Sequence, residues 1–275
     1  MSFIVVDKSW LQSLSDINVL KEIALKHRIV VTDILLYEIS TTFDKSKKLS
    51  CFNKLLKLHN ALEFLPNTGY IIRKEMRLPV VQHELEHKLY PRDLYPSFYE
   101  GLSKLADKNA KSGNIYNALY YNHFENKDVA FLKKIGSCIS NYFPEIRRLK
   151  SGENKDTINK IIKAIGCDEG IVKSFYKNIY RISDVVHGIN MFPPVELLSK
   201  KWALFRHVQV YLIAAIIYVG KYGDGNILIQ SKKFGHDSVD YEYIISGALA
   251  NGIATKDKLV KEIFTVCCPD GIIYS

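Results

Sequence analysis

Two acids, Asp7 and Asp257, each stand just after a short apolar run, Phe3-Ile-Val-Val6 and Ile253-Ala-Thr255. Runs of this kind, rich in β-branched residues, read as strands of a buried parallel sheet. Ligands of an open parallel sheet bind in the crevice at the carboxyl ends of its strands. Two carboxylates delivered there from opposite ends of the chain would attract a divalent cation. Glu38 and Asp240 fall on helices expected to flank those strands, so all four acids could converge. Such a set of hard oxygen donors suits Mg2+ or Mn2+, held by a few carboxylates, water and substrate phosphate. Taken one at a time, each acid also reads as an ordinary capping or solvated carboxylate. Asp237, three residues before Asp240, could share its helical face or cap the helix; the cap is the reading we favour.

The elements that must carry these acids follow from periodicity. Residues 3–6 and 28–32 are expected strands, each followed by a helix. Ser15 or Asp16 caps the first of these helices, and Asp33 the second, which holds Glu38. This β-α-β-α order argues for a doubly wound parallel sheet. From 46 to 198 the signals are helical: Leu55, Leu58, Leu62 and Leu65 have helical spacing, as do Ile158, Ile161, Ile162 and Ile165. Residues 151–155 and 191–194 read as loops. Residues 202–222 form a long apolar helix closed by Gly220 and Gly223, with a turn at 224–226. The α/β pattern then resumes: a strand over 226–230, a helix over 237–251 ended by Gly252 as an αL cap, a strand over 253–255, a helix over 258–264, and a last strand over 271–274. The expected organisation is an α/β core from residues 1–45 and 199–275, with about four to five parallel strands, and a large helical insertion over 46–198.

Taken together these residues resemble the PIN family of nucleases. The family has an Asp after the first strand, a Glu in the helix after the second, an Asp opening a late helix, and Thr-x-Asp after the following strand. Val5-Val6-Asp7, Val30-Val31-Thr32 leading to Glu38, Asp240 within Asp237-Ser-Val-Asp-Tyr-Glu-Tyr243, and Thr255-Lys256-Asp257 match in that order. The first site departs from the family's usual Asp-Thr-Asn or Asp-Ser-Ser, reading Asp7-Lys8-Ser9. The resemblance implies a PIN-like doubly wound sheet and a Mg2+- or Mn2+-dependent nuclease, RNA favoured over DNA; the long insertion suggests a specialised role, as in a toxin or antiviral effector. It assigns catalysis and metal binding to Asp7, Glu38, Asp240 and Asp257, with Thr255, Ser9 and Asp237 as accessory groups. It further implies single-stranded RNA as partner and allows a homodimer.

Charge and composition bound the alternatives. The net charge of +9 is compatible with a nucleic-acid partner. Residues 199–236 hold six Lys and Arg against one acid, whereas 237–275 hold three against six. Lys8 and Lys256 adjoin two of the acids and Lys232 and Lys233 precede the acidic helix, so these four are the expected phosphate contacts. The five cysteines form no CxxC pair, so neither a zinc ribbon nor a redox dithiol is signalled. No secretory signal opens the chain, and residues 208–219 are too short an apolar run to span a bilayer, so a cytoplasmic protein without a membrane is expected. His83-Glu-Leu-Glu-His87 is a formal HExxH, and on a helix its two imidazoles would bind zinc in a metallopeptidase. Against it stand the charged Glu86, the early Pro91 and the lack of an evident third ligand. Arg181 and His187 loosely resemble the Arg-x4–6-His signature of HEPN ribonucleases. Tyr116, Tyr120 and Tyr121 could stack on bases, though core packing explains them more simply. A catalytically silent nucleic-acid-binding or interaction module is the remaining class.

Overall fold

Ile4, Val5 and Val6 have no exposed surface, nor do Ile29 and Val30. Residues apolar on both faces need cover on both sides, and a parallel sheet between helices supplies it. The computed structural model describes residues 2–77, 84–106, 135, 139, 142–148, 155–187, 193–222 and 231–275. Its strands are β1 (Ser2–Val6), β2 (His27–Thr32), β3 (Leu62–Leu65), β4 (Gly252–Ala254) and β5 (Ile272–Tyr274). They form one all-parallel sheet in the order β3-β2-β1-β4-β5. β1 is central, with Val5 paired to Val30 on one side and to Ile253 on the other. The chain therefore steps outward from β1 to β2 and β3, and later outward from β1 the other way. That reversal is a topological switch point, and the crevice it opens lies between the carboxyl ends of β1 and β4.

The helices begin where the sequence offers a cap. Asp7 caps α1 (Lys8–Ser13), Asp16 caps α2 (Ile17–Lys26), and Asp44 caps α4 (Lys45–Leu56). For α3 (Asp33–Ser40) the cap is Thr32, whose hydroxyl accepts from the Leu35 amide at 3.2 Å. Asp33 was the expected cap; it instead accepts from the amide and side chain of Asn67 and from the Tyr90 hydroxyl. The later helices include α5 (Thr68–Arg77), α6 (Tyr95–Ala106), α7 (Lys155–Cys167), α8 (Glu169–His187), α9 (Ala203–Tyr222), α10 (Ser231–Ala250) and α11 (Lys258–Cys267). α10 packs on β1, β4 and α9, while α2 and α3 pack on β2.

Several expectations need correction. Leu62 and Leu65 do not continue a helix with Leu55 and Leu58: α4 stops at Leu56, and all four residues of β3 are buried in the sheet. Leucines three apart satisfy a helical spacing and a short buried strand equally well, and Glu63 between them is buried against Arg28 and Arg92. Residues 46–198 thus supply an edge strand and are not a purely helical insertion, although their other described elements are helical. Gly220 lies inside α9, where a Cβ would come within 3.1 Å of Ile158, so it permits close packing against α7. The helix expected over 202–222 is present as α9. It is the one helix among the described residues long and apolar enough to cross a membrane, yet 83% of that stretch is buried, as in a core helix. The left-handed residue after α10 is Asn251, at φ 57°, and Gly252 belongs to β4. The loops expected at 151–154 and 191–192, the turn at 224–226 and the strand at 226–230 lie outside the described residues, with Gly223.

Candidate functional site

Asp7 is 4% exposed and is wired from three directions. Its amide donates to the Ala254 carbonyl at 3.0 Å, which carries the β1–β4 pairing one residue past the strand. Its Oδ1 accepts from the Trp10 amide and the Ser9 hydroxyl, each at 2.7 Å. Its Oδ2 accepts from the Thr255 hydroxyl. Burial raises the Asp7 carboxyl above its ordinary range, and the bonds from Thr255, Trp10 and Ser9 pull it back. Thr255 Oγ1 in turn accepts from the Asp257 amide at 3.0 Å. Asp257 caps α11 by accepting from the Val260 amide at 2.9 Å. The Thr-x-Asp segment is therefore tied to Asp7 through one hydroxyl.

Glu38 projects from α3 and has both oxygens engaged. Lys8 Nζ lies 3.3 Å from Oε1, and the Tyr243 hydroxyl donates to Oε2 at 2.7 Å. Sequence reading did not single out Tyr243. Its place three residues after Asp240, on the same helical face, was the signal.

Asp240 lies inside α10, not at its start, because the helix begins at Ser231. Asp237 is for the same reason not a cap; it accepts from the Tyr218 hydroxyl at 2.5 Å. Burial pushes the Asp240 carboxyl up to about 8, and the charges of Asp257, Glu38, Asp237 and Asp7 push the same way. The four acids predicted from sequence thus act on one another electrostatically, with Asp237 as a fifth. No hydrogen bond from the described residues offsets this at Asp240. Buried acids elsewhere are treated differently. Glu242 accepts from the Thr68 hydroxyl at 2.6 Å and its amide at 3.1 Å. Glu75 pairs with Lys88 and accepts from the Ala203 amide at the start of α9.

Among the described residues no group of three His, Cys, Asp or Glu side chains is placed so that it could hold a metal ion. The donor chemistry nonetheless fits a hard divalent ion: carboxylate oxygens, partly buried, whose mutual repulsion a cation would relieve. Asp7 and Asp257 are already fixed by neutral donors, as ligating carboxylates commonly are. Of the predicted phosphate contacts, Lys8 is committed to Glu38. Lys256 is exposed, and its amide donates to Ser9 Oγ at 3.3 Å. The side chains of Lys232 and Lys233, in the first turn of α10, lie outside the described residues.

The HExxH reading loses its helix. Residues Leu85–His87 form a 3-10 turn, so Glu84 and His87 do not sit on the α-helical face that a zinc pair requires. His83 lies outside the described residues, as do Tyr116, Tyr120 and Tyr121 and the side chains of Arg181 and His187. No protein-family profile matches the chain, and comparison with curated proteins and with solved structures gives no significant match.

Proposed function

We propose that this chain is a PIN-like, metal-dependent nuclease that hydrolyses phosphodiester bonds, with single-stranded RNA as its favoured substrate. The observation that carries the reading is Asp240: a partly buried carboxyl crowded by like charges, at the switch point of a parallel sheet. Buried acids such as Glu242 and Glu75 are given donors; Asp240 is set against other acids instead. A site that keeps such repulsion is built for a cation that arrives with its ligand.

Mg2+ or Mn2+ bound there would polarise the scissile phosphate and supply an activated water for in-line attack. The chain's own residues do the positioning. Thr255 fixes Asp7 and Asp257 relative to each other, so two strands present their acids at one spacing. Asp257 uses Oδ1 as a helix cap, which leaves Oδ2 to coordinate. Asp240 would hold the cation in its ionised form and would release its proton to solvent on doing so, since coordination requires the carboxylate. Lys256, exposed beside Asp257, is placed to meet the polymer backbone.

The test is cleavage of end-labelled single-stranded RNA and DNA with Mg2+, Mn2+ or EDTA, using wild type, Asp7→Asn and Asp240→Asn. RNA should be cut with either metal and not with EDTA, and each variant should lose at least about 100-fold. Cleavage that survives EDTA or Asp240→Asn, or no cleavage of either polymer, would sink the reading.

A further inference from the structure

The isoleucines that mark α7 in the sequence divide between two environments. Ile158, Ile161 and Ile165 are buried, whereas Ile162 keeps exposed surface. Ile162 opens into a groove of about 1080 Å³ between α7, the last turns of α9 and α11, a groove that none of the four acids lines. Ile217 of α9 and Leu259 and Val266 of α11 line it as well, each half-buried. We propose that this groove docks an amphipathic helix of a partner protein, apolar on one face and acidic along its flanks. The inference is independent of the nuclease reading.

The walls of the groove are held in place before any partner arrives. A Cβ on Gly166 would come within 2.5 Å of Val266, and one on Gly220 within 3.1 Å of Ile158. These two glycines therefore let α11 and α9 close tightly against α7. Gln209 of α9 also donates to the Ile165 carbonyl of α7 at 3.2 Å. A surface fixed in this way loses little conformational freedom on binding. Its apolar residues run along about two turns of α7 and of α11, roughly 10–12 Å. A helix that presents anchors at i, i+4 and i+7 has the matching length.

Charge identifies the partner. Lys155, Lys221 and Lys258 line the groove against one acid, Glu262. Lys258 lies 3.8 Å from Glu262, but both are well exposed, so the pair is weak. Lys155 and Lys258 each open a helix, where a cation opposes the helix dipole and does not stabilise it. Their charge therefore suits an anionic occupant of the groove better than it suits their own helices. A second copy of this chain would bring the same lysines and a net charge of +9, so like charges oppose self-pairing on this face. Acidic side chains beside the apolar stripe of a partner helix would meet the lysines while the stripe covers Ile162, Ile217 and Leu259.

The experiment sorts a displayed library of helices of about 14 residues against the fluorescently labelled full chain, with leucine at i, i+4 and i+7 and Glu, Lys, Gln or Ala elsewhere. The sequences retained should carry an excess of Glu beside the leucine stripe. Their affinity, read by fluorescence anisotropy, should fall at least about tenfold for Lys155→Glu with Lys258→Glu, and likewise for Ile162→Gln. It should change less than about twofold for Lys26→Glu with Lys45→Glu, which alters the net charge equally on helices that do not line the groove. Thermal melts would verify that each variant folds; Lys155 and Lys258 are both exposed, so their double variant tests the groove even if Ile162→Gln melts early. No retained sequence, no excess of Glu, or an equal loss in the two charge variants overturns the inference. So does binding to phosphatidylglycerol vesicles in place of helices, which would assign the face to a membrane. Self-association that Ile162→Gln abolishes, with no helix retained, would assign it to a second copy and overturn the inference too.

Discussion

At the scale of the residue, the site is distinguished by how its acids are satisfied. A carboxylate buried among donors stays ionised; one buried among carboxylates does not. Asp240 is the second kind, with its carboxyl pushed up to about 8 by burial and then by Asp257, Glu38, Asp237 and Asp7. Asp7 is raised in the same direction, also first by burial. In the unfolded chain an Asp titrates near 4, so between about pH 4 and 8 the metal-free native state holds a proton that the unfolded state has lost. The sign is then fixed. This contribution to stability is complete below about pH 4 and disappears as the pH rises through about 8. In EDTA, the urea midpoint of the wild type should fall between about pH 5 and 9 relative to that of Asp240→Asn, which lacks the titrating group. Mg2+ or Mn2+ should restore stability more at the alkaline end than at the acid end. An identical pH slope in both proteins would show that Asp240 is not perturbed in this way.

At the scale of the element, the spacing between β1 and β4 decides whether Asp7 and Asp257 meet. Gly252 opens β4, and a Cβ built on it would lie 2.6 Å from both the Phe3 carbonyl oxygen and the tip of Ile4. The Ile4 methyl could rotate aside, but the carbonyl belongs to β1 and can yield only if the strands part. Gly252→Ala should therefore cost about 1–3 kcal/mol, the usual range for overpacking, and should weaken Mn2+ binding through the displaced acids. Gly101→Ala is the control, because a Cβ there meets nothing within 4 Å. It lies within α6 and should be neutral or stabilising by about 0.5–1 kcal/mol. Equal melting and metal affinity in wild type and Gly252→Ala would remove the strand contact from the account. The position also shows where the sequence was hard to read. A glycine after a helix matches the left-handed cap pattern, yet the chain gives that conformation to Asn251 and spends the glycine on close approach. Local spacing holds no information about which strand lies alongside, so this use of Gly252 was hidden until β1 and β4 were seen side by side.

At the scale of the whole molecule, legibility followed the range of the interactions involved. β1, β2, β4 and β5 were readable because their apolar runs are bounded by polar or turn residues. β3 was not, since its four buried residues sit in register with leucines that also fit a helix. The four acids were singled out by their order along the chain, and the charges of Asp257, Glu38 and Asp7 do act on Asp240. The Lys8–Glu38 pair and the Tyr243 bond were not, because they join residues 30 and 205 positions apart. The sheet order explains why such distant segments meet: strands from both ends of the chain flank β1, and their carboxyl ends share one crevice. A polymer lying across that crevice would run over an acidic floor, so it needs cations at the rim. Lys256 is exposed and anchored by its amide to Ser9, one residue before Asp257. Lys26, also exposed, ends α2 just before β2 begins and so lies at the amino ends of the strands, away from the crevice. In an Asp240→Asn background, chosen to suppress the proposed cleavage, Lys256→Glu should weaken binding of a labelled single-stranded RNA. It should also reduce the slope of log affinity against log salt by about 0.7–1, as the loss of one phosphate contact does. Lys26→Glu should leave the slope unchanged, although both substitutions alter the net charge equally. Matching slopes in the two variants would mean that only overall charge steers the polymer, and that the strand ends do not form its path.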